Sequence, residues 1–398
     1  MFQIRKGSKY LVFFVVIFVA LPPFAIDTYI PAFGNIANDL NVNVNLMPIT
    51  ISTYLIGFGL GMFFWGALSD RYGRKKILTI GMLVYIISTV LCAQTDNFNT
   101  LIFMRFIQGL GDSPAAVAAM AILKDCYRGQ KLIKTMATMI MVFMVAPIVA
   151  PIVGSVIIYT TGEWQNIFYF LTIYGVVLLV ITLIMPETHK PSKRSKSLLS
   201  SFFVYIKHFL NVPFILGSFT GALGFGAMFS FISASSTLLI EHLHLGYIQF
   251  CAIFALNVLG LVFASNLIRK KLTKENRIRF IASGYALSII TIFLNIILSL
   301  TIDNIYIFVI LNAFATTGFA LTNITISTVT IDILKEGFGA GNAIMRLVKF
   351  IVAGLAGFLL SFVSISHLMV SIPIQQLVFI LLSTGLFIII KDKLFPNN

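Results

Sequence analysis

Long apolar runs separated by short polar connections set the pattern of this chain. Twelve runs, at residues 10–33, 47–68, 77–94, 100–122, 135–160, 164–185, 210–236, 246–268, 280–300, 304–327, 340–363 and 368–390, alternate with connections that hold most of the charge. At about 1.5 Å of helix rise per residue, each run is long enough to cross a hydrocarbon core. The pattern predicts an all-α membrane protein with twelve transmembrane helices.

The basic residues add an orientation. Arg71, Arg74, Lys75 and Lys76 follow the second run, and Lys124, Arg128, Lys131 and Lys134 surround the turn after the fourth. Lys190, Lys193, Arg194, Lys196 and Lys207 fill the central connection. Arg269, Lys270, Lys271, Lys274, Arg277 and Arg279 follow the eighth run. The odd-numbered connections carry no Lys or Arg and are marked by Asp39, Asp96, Glu163, Glu241 and Asp303. Cytoplasmic loops retain basic residues, so both termini are expected to be cytoplasmic.

Residues 186–209, with Pro186, Pro191 and a Lys/Ser cluster, form the one substantial polar interruption. This reads as a basic cytoplasmic linker joining an N-terminal six-helix bundle (1–185) to a C-terminal six-helix bundle (210–398). Two halves of equal orientation suit a rocking transporter with a midplane cavity.

Composition narrows the class. A chain of 398 residues that is 58% hydrophobic and 11% charged is a polytopic membrane protein. Its net charge of +14 sits in short loops, where topology explains it without nucleic acid. Cys92, Cys126 and Cys251 lack metal-ligand spacing. His242 and His244 flank Leu243 but have no further ligands, so no metal is expected. The N-terminal apolar run lacks a small-x-small cleavage pattern before Pro22-Pro23 and reads as a retained helix. No Walker-type phosphate loop and no catalytic constellation stand out, so neither ATP hydrolysis, an enzyme activity nor a cofactor is expected. Gly57, Gly59 and Gly61 lie inside a span and read as a helix-packing face.

Residues 66–78 read Gly-Ala-Leu-Ser-Asp-Arg-Tyr-Gly-Arg-Lys-Lys-Ile-Leu. This resembles the G-x-L-[AS]-D-R-x-G-R-[KR]-x-x-L signature of the major facilitator superfamily. Gly66 and Gly73 permit close packing and a tight turn, and Asp70 can accept from a helix N-terminus. The resemblance implies that this partner is the start of the eleventh helix, so that Gly66, Asp70, Arg71, Gly73 and Arg74 form a cytoplasmic latch. Leu21-Pro22 and Asp27-Thr28-Tyr29-Ile30-Pro31-Ala32 resemble the first helix of twelve-span drug:proton antiporters. Arg105-Phe106-Ile107-Gln108-Gly109-Leu110-Gly111 resembles the R-x-x-Q-G-x-G pattern of the fourth helix. Ala146-Pro147-Ile148-Val149-Ala150-Pro151-Ile152-Val153-Gly154 resembles the fifth-helix pattern of the bicyclomycin/chloramphenicol-resistance branch. Pro186-Glu187-Thr188 is similar to the end of that branch's sixth helix. The likeness covers residues 20–190 well and thins beyond them. Ala150 and Ser155 stand where glycines are usual, Ser236 replaces a proline, and Asp112 interrupts a stretch of small residues.

Ionisable residues inside spans mark where function is expected. Asp27 lies about 9 Å below the expected outer end of the first helix, and Arg105 falls at the same estimated depth on the fourth. The two are expected to pair, with Asp27 taking up a proton or a cationic solute and Arg105 as its gate; the alternative is a purely structural lock. Asp112 is seven residues after Arg105 on nearly the same face and is a second proton candidate. Arg346 lies at comparable depth on the eleventh helix, with Lys349 one turn deeper, and the two either meet Asp112 or snorkel to headgroups. Asp332 is expected in a loop. Pro147, Pro151 and Gly154 form either a hinge or a static kink in the fifth helix.

The expected function is a secondary active transporter, a proton-coupled exporter of small organic molecules working by alternating access. The runner-up is a dedicated carrier of one natural solute such as a siderophore or metabolite, in either direction. A transport-dead membrane receptor is the remote alternative. The expected partners are a small-molecule solute, protons and the lipid bilayer. The resemblance implies a monomer in the bacterial cytoplasmic (inner) membrane.

Overall fold

The computed structural model describes residues 9–189, 198–302 and 304–395. The linker residues Lys190, Lys193, Arg194 and Lys196, the acid Asp303 and the N-terminal tail before Lys9 lie outside the described residues. Among the described residues the secondary structure is helical throughout, and twelve stretches are long and apolar enough to cross a membrane. The α-helices are α1 (Lys9–Asp27), α2 (Phe33–Asp39), α3 (Pro48–Tyr72), α4 (Arg74–Ala93), α5 (Phe98–Cys126), α6 (Gly129–Thr161) and α7 (Gln165–Ile184). They continue as α8 (Leu198–Phe209), α9 (Val212–Ser236), α10 (Tyr247–Lys271), α11 (Arg277–Thr301), α12 (Ile305–Asp332), α13 (Phe338–Leu360) and α14 (Leu368–Leu394).

Local chemistry explains where these helices start and stop. Asn97, Asn211 and Asn304 each accept backbone N–H groups at the head of a membrane helix, α5, α9 and α12 respectively. Such caps satisfy amides that have no intrahelical partner. Gly73 takes φ 100°, which lets the chain reverse between α3 and α4 in a single residue.

Two compact units emerge. One takes the described residues within Met1–Val42 and Thr53–Val204, the other those within Asn43–Ser52 and Tyr205–Asn398. In the first unit, α1 packs on α5, α6 and α7, and α4 lies against α5 and α7. In the second, α9 packs on α12, α13 and α14, and α12 lies against α10 and α11.

Three features differ from the sequence expectation. The first span is longer and broken: α1 stops at Asp27, a 3₁₀ turn covers Ile30–Ala32, and α2 carries the span to Asp39. Pro31 has no N–H to donate, and its ring would meet the carbonyl of Asp27 in a continuous helix. Asp27 therefore sits at a helix break, with residues 28–39 of the span still to follow, which removes the basis of the equal-depth estimate. The expected polar linker contains helix α8, in which Tyr205 and His208 are buried while Phe203 and Ile206 stay exposed. Asp332 is the last residue of α12 rather than a loop residue, and its carboxylate lies 2.9 Å from Arg277.

Candidate transport site

The first unit is organised around Arg105, whose side chain is fully buried. Arg105, Gln108 and Asp112 fall at i, i+3 and i+7 on α5, so they share one face of that helix. The face can be reached because α3 and α5 approach closely: a Cβ on Gly57 would lie 2.1 Å from the Phe106 carbonyl, and one on Gly109 2.1 Å from that of Tyr54. The expected packing role of Gly57 thus has a concrete partner.

Arg105 does not pair with Asp27. Its Nη1 donates to the Ala25 carbonyl at 3.1 Å and to Gln108 Oε1 at 2.5 Å. Gln108 passes the chain on, donating to Thr89 Oγ1 at 2.8 Å. The guanidinium carbon lies 4.4 Å from the Tyr29 ring centre, 4.6 Å from that of Tyr54 and 6.0 Å from that of Phe168. Aromatic faces carry negative charge density, so three rings supply the electrostatic partner that a carboxylate was expected to supply. Arg105 still reaches the end of α1, but by a backbone carbonyl.

Asp27 is 5% exposed at the α1 break, and among the described residues no hydrogen bond or ion pair engages its carboxylate. The neighbouring Thr28 is held close by α6, since a Cβ on Gly154 would fall 1.7 Å from the Thr28 carbonyl. Gly154 is thus a point of close approach. α6 runs unbroken through Pro147 and Pro151 from Gly129 to Thr161. Asp112, fully buried, accepts a short hydrogen bond from the Tyr54 hydroxyl at Oδ2, while its Oδ1 has no bonded partner. Tyr54 escaped the sequence reading because a tyrosine in an apolar run carries no charge signal.

At the basic-loop end of the same unit, the signature residues form a network. Arg74 lies 2.6 Å from Asp70 and 3.5 Å from Asp125, and its Nη1 donates to Ser69 Oγ at 2.9 Å. The Glu187 carboxylate accepts from the backbone N–H groups of Arg74 and Lys75 at 3.1 and 3.2 Å, which caps the head of α4. His189 Nε2 meets the Asp70 carbonyl at 3.2 Å. Asp125 was missed among the basic residues around it, although an acid inside a basic cluster is a legible sign of a network.

In the second unit, Lys349 donates to Asn323 Oδ1 at 2.9 Å and stands 5.0 Å above the Phe225 ring. Asn323 is fixed in turn by donating to the Gly221 carbonyl at 2.6 Å. A separate amide chain links Gln376 to Asn312 at 2.9 Å and Asn312 to Asn257 at 2.6 Å. Asp112 and Lys349 are each engaged within their own unit. Outside the spans, Lys207 reaches Glu336 at 2.5 Å and, by hydrogen bond and charge, holds that carboxyl below its ordinary range. Among the described residues no cluster of His, Cys, Asp and Glu is arranged to hold a metal.

A family model described as Major Facilitator Superfamily matches residues 12–358. The Bicyclomycin resistance protein homolog of Haemophilus influenzae is 31% identical over 275 residues, covering 68% of this chain and 68% of the relative. The Multidrug resistance protein MdtL of Escherichia coli O81 is 29% identical over 290 residues, covering 68% of this chain and 71% of the relative. Among solved structures, that of a D-xylose-proton symporter superposes with a TM-score of 0.72 at 16% identity, over 96% of this chain and 98% of the other. At that identity the likeness speaks for the fold alone.

Proposed function

The chain belongs to the Major Facilitator Superfamily, and we propose that it is a proton-coupled exporter of small organic molecules, drugs among them. It is an integral multi-pass membrane protein. The reading places it in the bacterial cytoplasmic membrane as a monomer, with both termini cytoplasmic as the Lys/Arg partition demands.

One observation carries the coupling: Asp27 is a nearly buried carboxylate at a helix break, without an ion-pair partner among the described residues. Ionisable groups at such depth are expensive and serve ion or substrate pathways. Arg105 is occupied by Ala25, Gln108 and three aromatic rings, so neutralising Asp27 falls to a proton or to a bound solute. Arg105 then acts as a positioning residue. It ties α5 to the last turn of α1, and a change at Asp27 is felt by the buried network that reaches Thr89 and, along the same face of α5, Asp112. Alternating access exposes Asp27 to one side and then the other, converting a proton gradient into solute movement. The relatives named for bicyclomycin and multidrug resistance support a broad organic substrate range.

The test is gradient-driven movement. Purified full-length protein in proteoliposomes should move some members of a panel of neutral, cationic and anionic aromatic compounds when a pH gradient is imposed, and a protonophore should stop it. Movement that is indifferent to collapse of the gradient would contradict proton coupling. A reporter fused at residue 195 should read cytoplasmic and one at Asn43 external.

A further inference from the structure

The second unit holds two cations inside its membrane helices, and neither has a counterion there. Arg346 and Lys349 are one turn apart on α13. The acids of the second half, Glu241, Glu275, Asp303, Asp332, Glu336 and Asp392, all fall in connections or at the ends of helices by sequence position. Asp332 is taken by Arg277 and Glu336 by Lys207. Among the described residues Arg346 makes no hydrogen bond or ion pair, and the one hydrogen bond of Lys349 goes to a neutral amide, Asn323.

Lipid headgroups do not account for this pair. The exposed large apolar side chains of α13 are Phe338 at its first residue and Leu355, Phe358 and Leu359 near its end, with Phe362 just beyond. At about 100° per residue the last four centre roughly 170° around the helix from Arg346, so the cations lie on the face turned away from the apolar one. Lys349 confirms the direction, because it reaches Asn323 on α12 and the ring of Phe225 on α9. On that face Arg346 remains exposed and Lys349 half-buried, so both can meet a solute. Phe225 continues into an aromatic group, with Phe229 at 4.9 Å and Phe350 at 5.8 Å between ring centres.

We propose that Lys349 and Arg346 form an anion-recognition subsite, and that the exporter carries organic anions, carboxylates attached to an apolar or aromatic body. The carboxylate lies against the two cations and the apolar body on the Phe225 group. Asn323 is the positioning residue: it holds the ammonium in place without neutralising it, which leaves the charge available. A structural lock would have been made with an acid, and a headgroup anchor would have pointed along the apolar face. This inference rests on the exporter reading for its transport step, but the binding step stands by itself.

The experiment uses full-length protein in detergent and the paired probes 2-naphthoate and 2-naphthamide, which differ in charge and share the ring. Equilibrium dialysis with radiolabelled probes should show at least about tenfold tighter binding of the acid, the size of one charge-assisted hydrogen bond. Lys349→Gln should erase most of that preference, Arg346→Gln should reduce it, and Lys349→Arg should keep it while showing that the site still folds. Equal binding of acid and amide by the wild type, or an unchanged preference in Lys349→Gln, overturns the subsite. The proteoliposome assay separates the two claims. If naphthoate binds selectively yet no compound moves with a gradient, the exporter reading fails and the subsite survives. If the amide moves and binds as well as the acid, the subsite fails and the exporter reading survives.

Discussion

Removing one hydroxyl, by Tyr54→Phe, probes the most deeply buried acid among the described residues. Asp112 is fully buried on α5, and its only hydrogen-bond donor among the described residues is Tyr54 of α3. Without that donor both carboxylate oxygens are buried and unpaired. A hydrogen bond to a charged group contributes about 1.5–3 kcal/mol, and cycles between membrane helices give at most about 1.7 kcal/mol. The expected coupling between Tyr54→Phe and Asp112→Ala is therefore about 1–1.7 kcal/mol, at the upper end of that second range because the acceptor is an acid. Unfolding in mixed micelles titrated with dodecyl sulfate, followed by tryptophan fluorescence, measures it. Trp65 is well placed as a reporter, since it donates to the Leu110 carbonyl of α5 at 2.9 Å. If the two single effects add to the double within about 0.5 kcal/mol, Tyr54 and Asp112 are energetically independent and the reasoning fails.

Three further outcomes follow from the same geometry. Gly154→Ala puts a methyl 1.7 Å from the Thr28 carbonyl, so α6 must withdraw from the α1 break; the expected destabilisation is about 1–3 kcal/mol in the same micelle titration, and an unchanged midpoint would deny the close approach. Glu187→Ala removes the acceptor of two backbone N–H groups at the head of α4 and should destabilise by about 1 kcal/mol, whereas Glu187→Gln should recover part of it; equal loss in both would mean that charge alone matters. Arg105→Lys keeps the positive charge but loses the flat fork stacked between Tyr29 and Tyr54, so gradient-driven transport should fall at least about tenfold; wild-type rates would show that charge alone suffices.

The spans were legible because an apolar run of membrane length admits few other readings, and the basic-loop signature was legible because its glycines and charges are tightly spaced. The break after Asp27 was written in the chain as Pro31, but a run of apolar residues on both sides hid its consequence. Helix α8 was overlooked because the Lys/Ser cluster before it dominates the composition of residues 186–209. Charge also misled at Arg105. Two opposite charges at similar estimated depth suggested a pair, whereas Tyr29, Tyr54 and Phe168, which carry no charge, surround the guanidinium instead. For the same reason Asn257, Asn312, Asn323 and Gln376 went unread: an amide inside an apolar span reveals its partner only when the helices are packed. Arg346 and Lys349 were visible as intramembrane cations, but only the arrangement of α13 shows that they face away from its apolar side.

Asp27→Asn tests the central claim most directly. Proteoliposomes containing the wild type or the variant should be compared in two modes with the same transported compound: accumulation driven by a pH gradient, and exchange of labelled for unlabelled compound with no gradient. If Asp27 is the coupling carboxylate, the variant loses accumulation and its pH dependence while exchange persists at a comparable rate. If Asp27→Asn still concentrates the compound with an unchanged pH profile, Asp27 is structural and the coupling assigned to it is wrong.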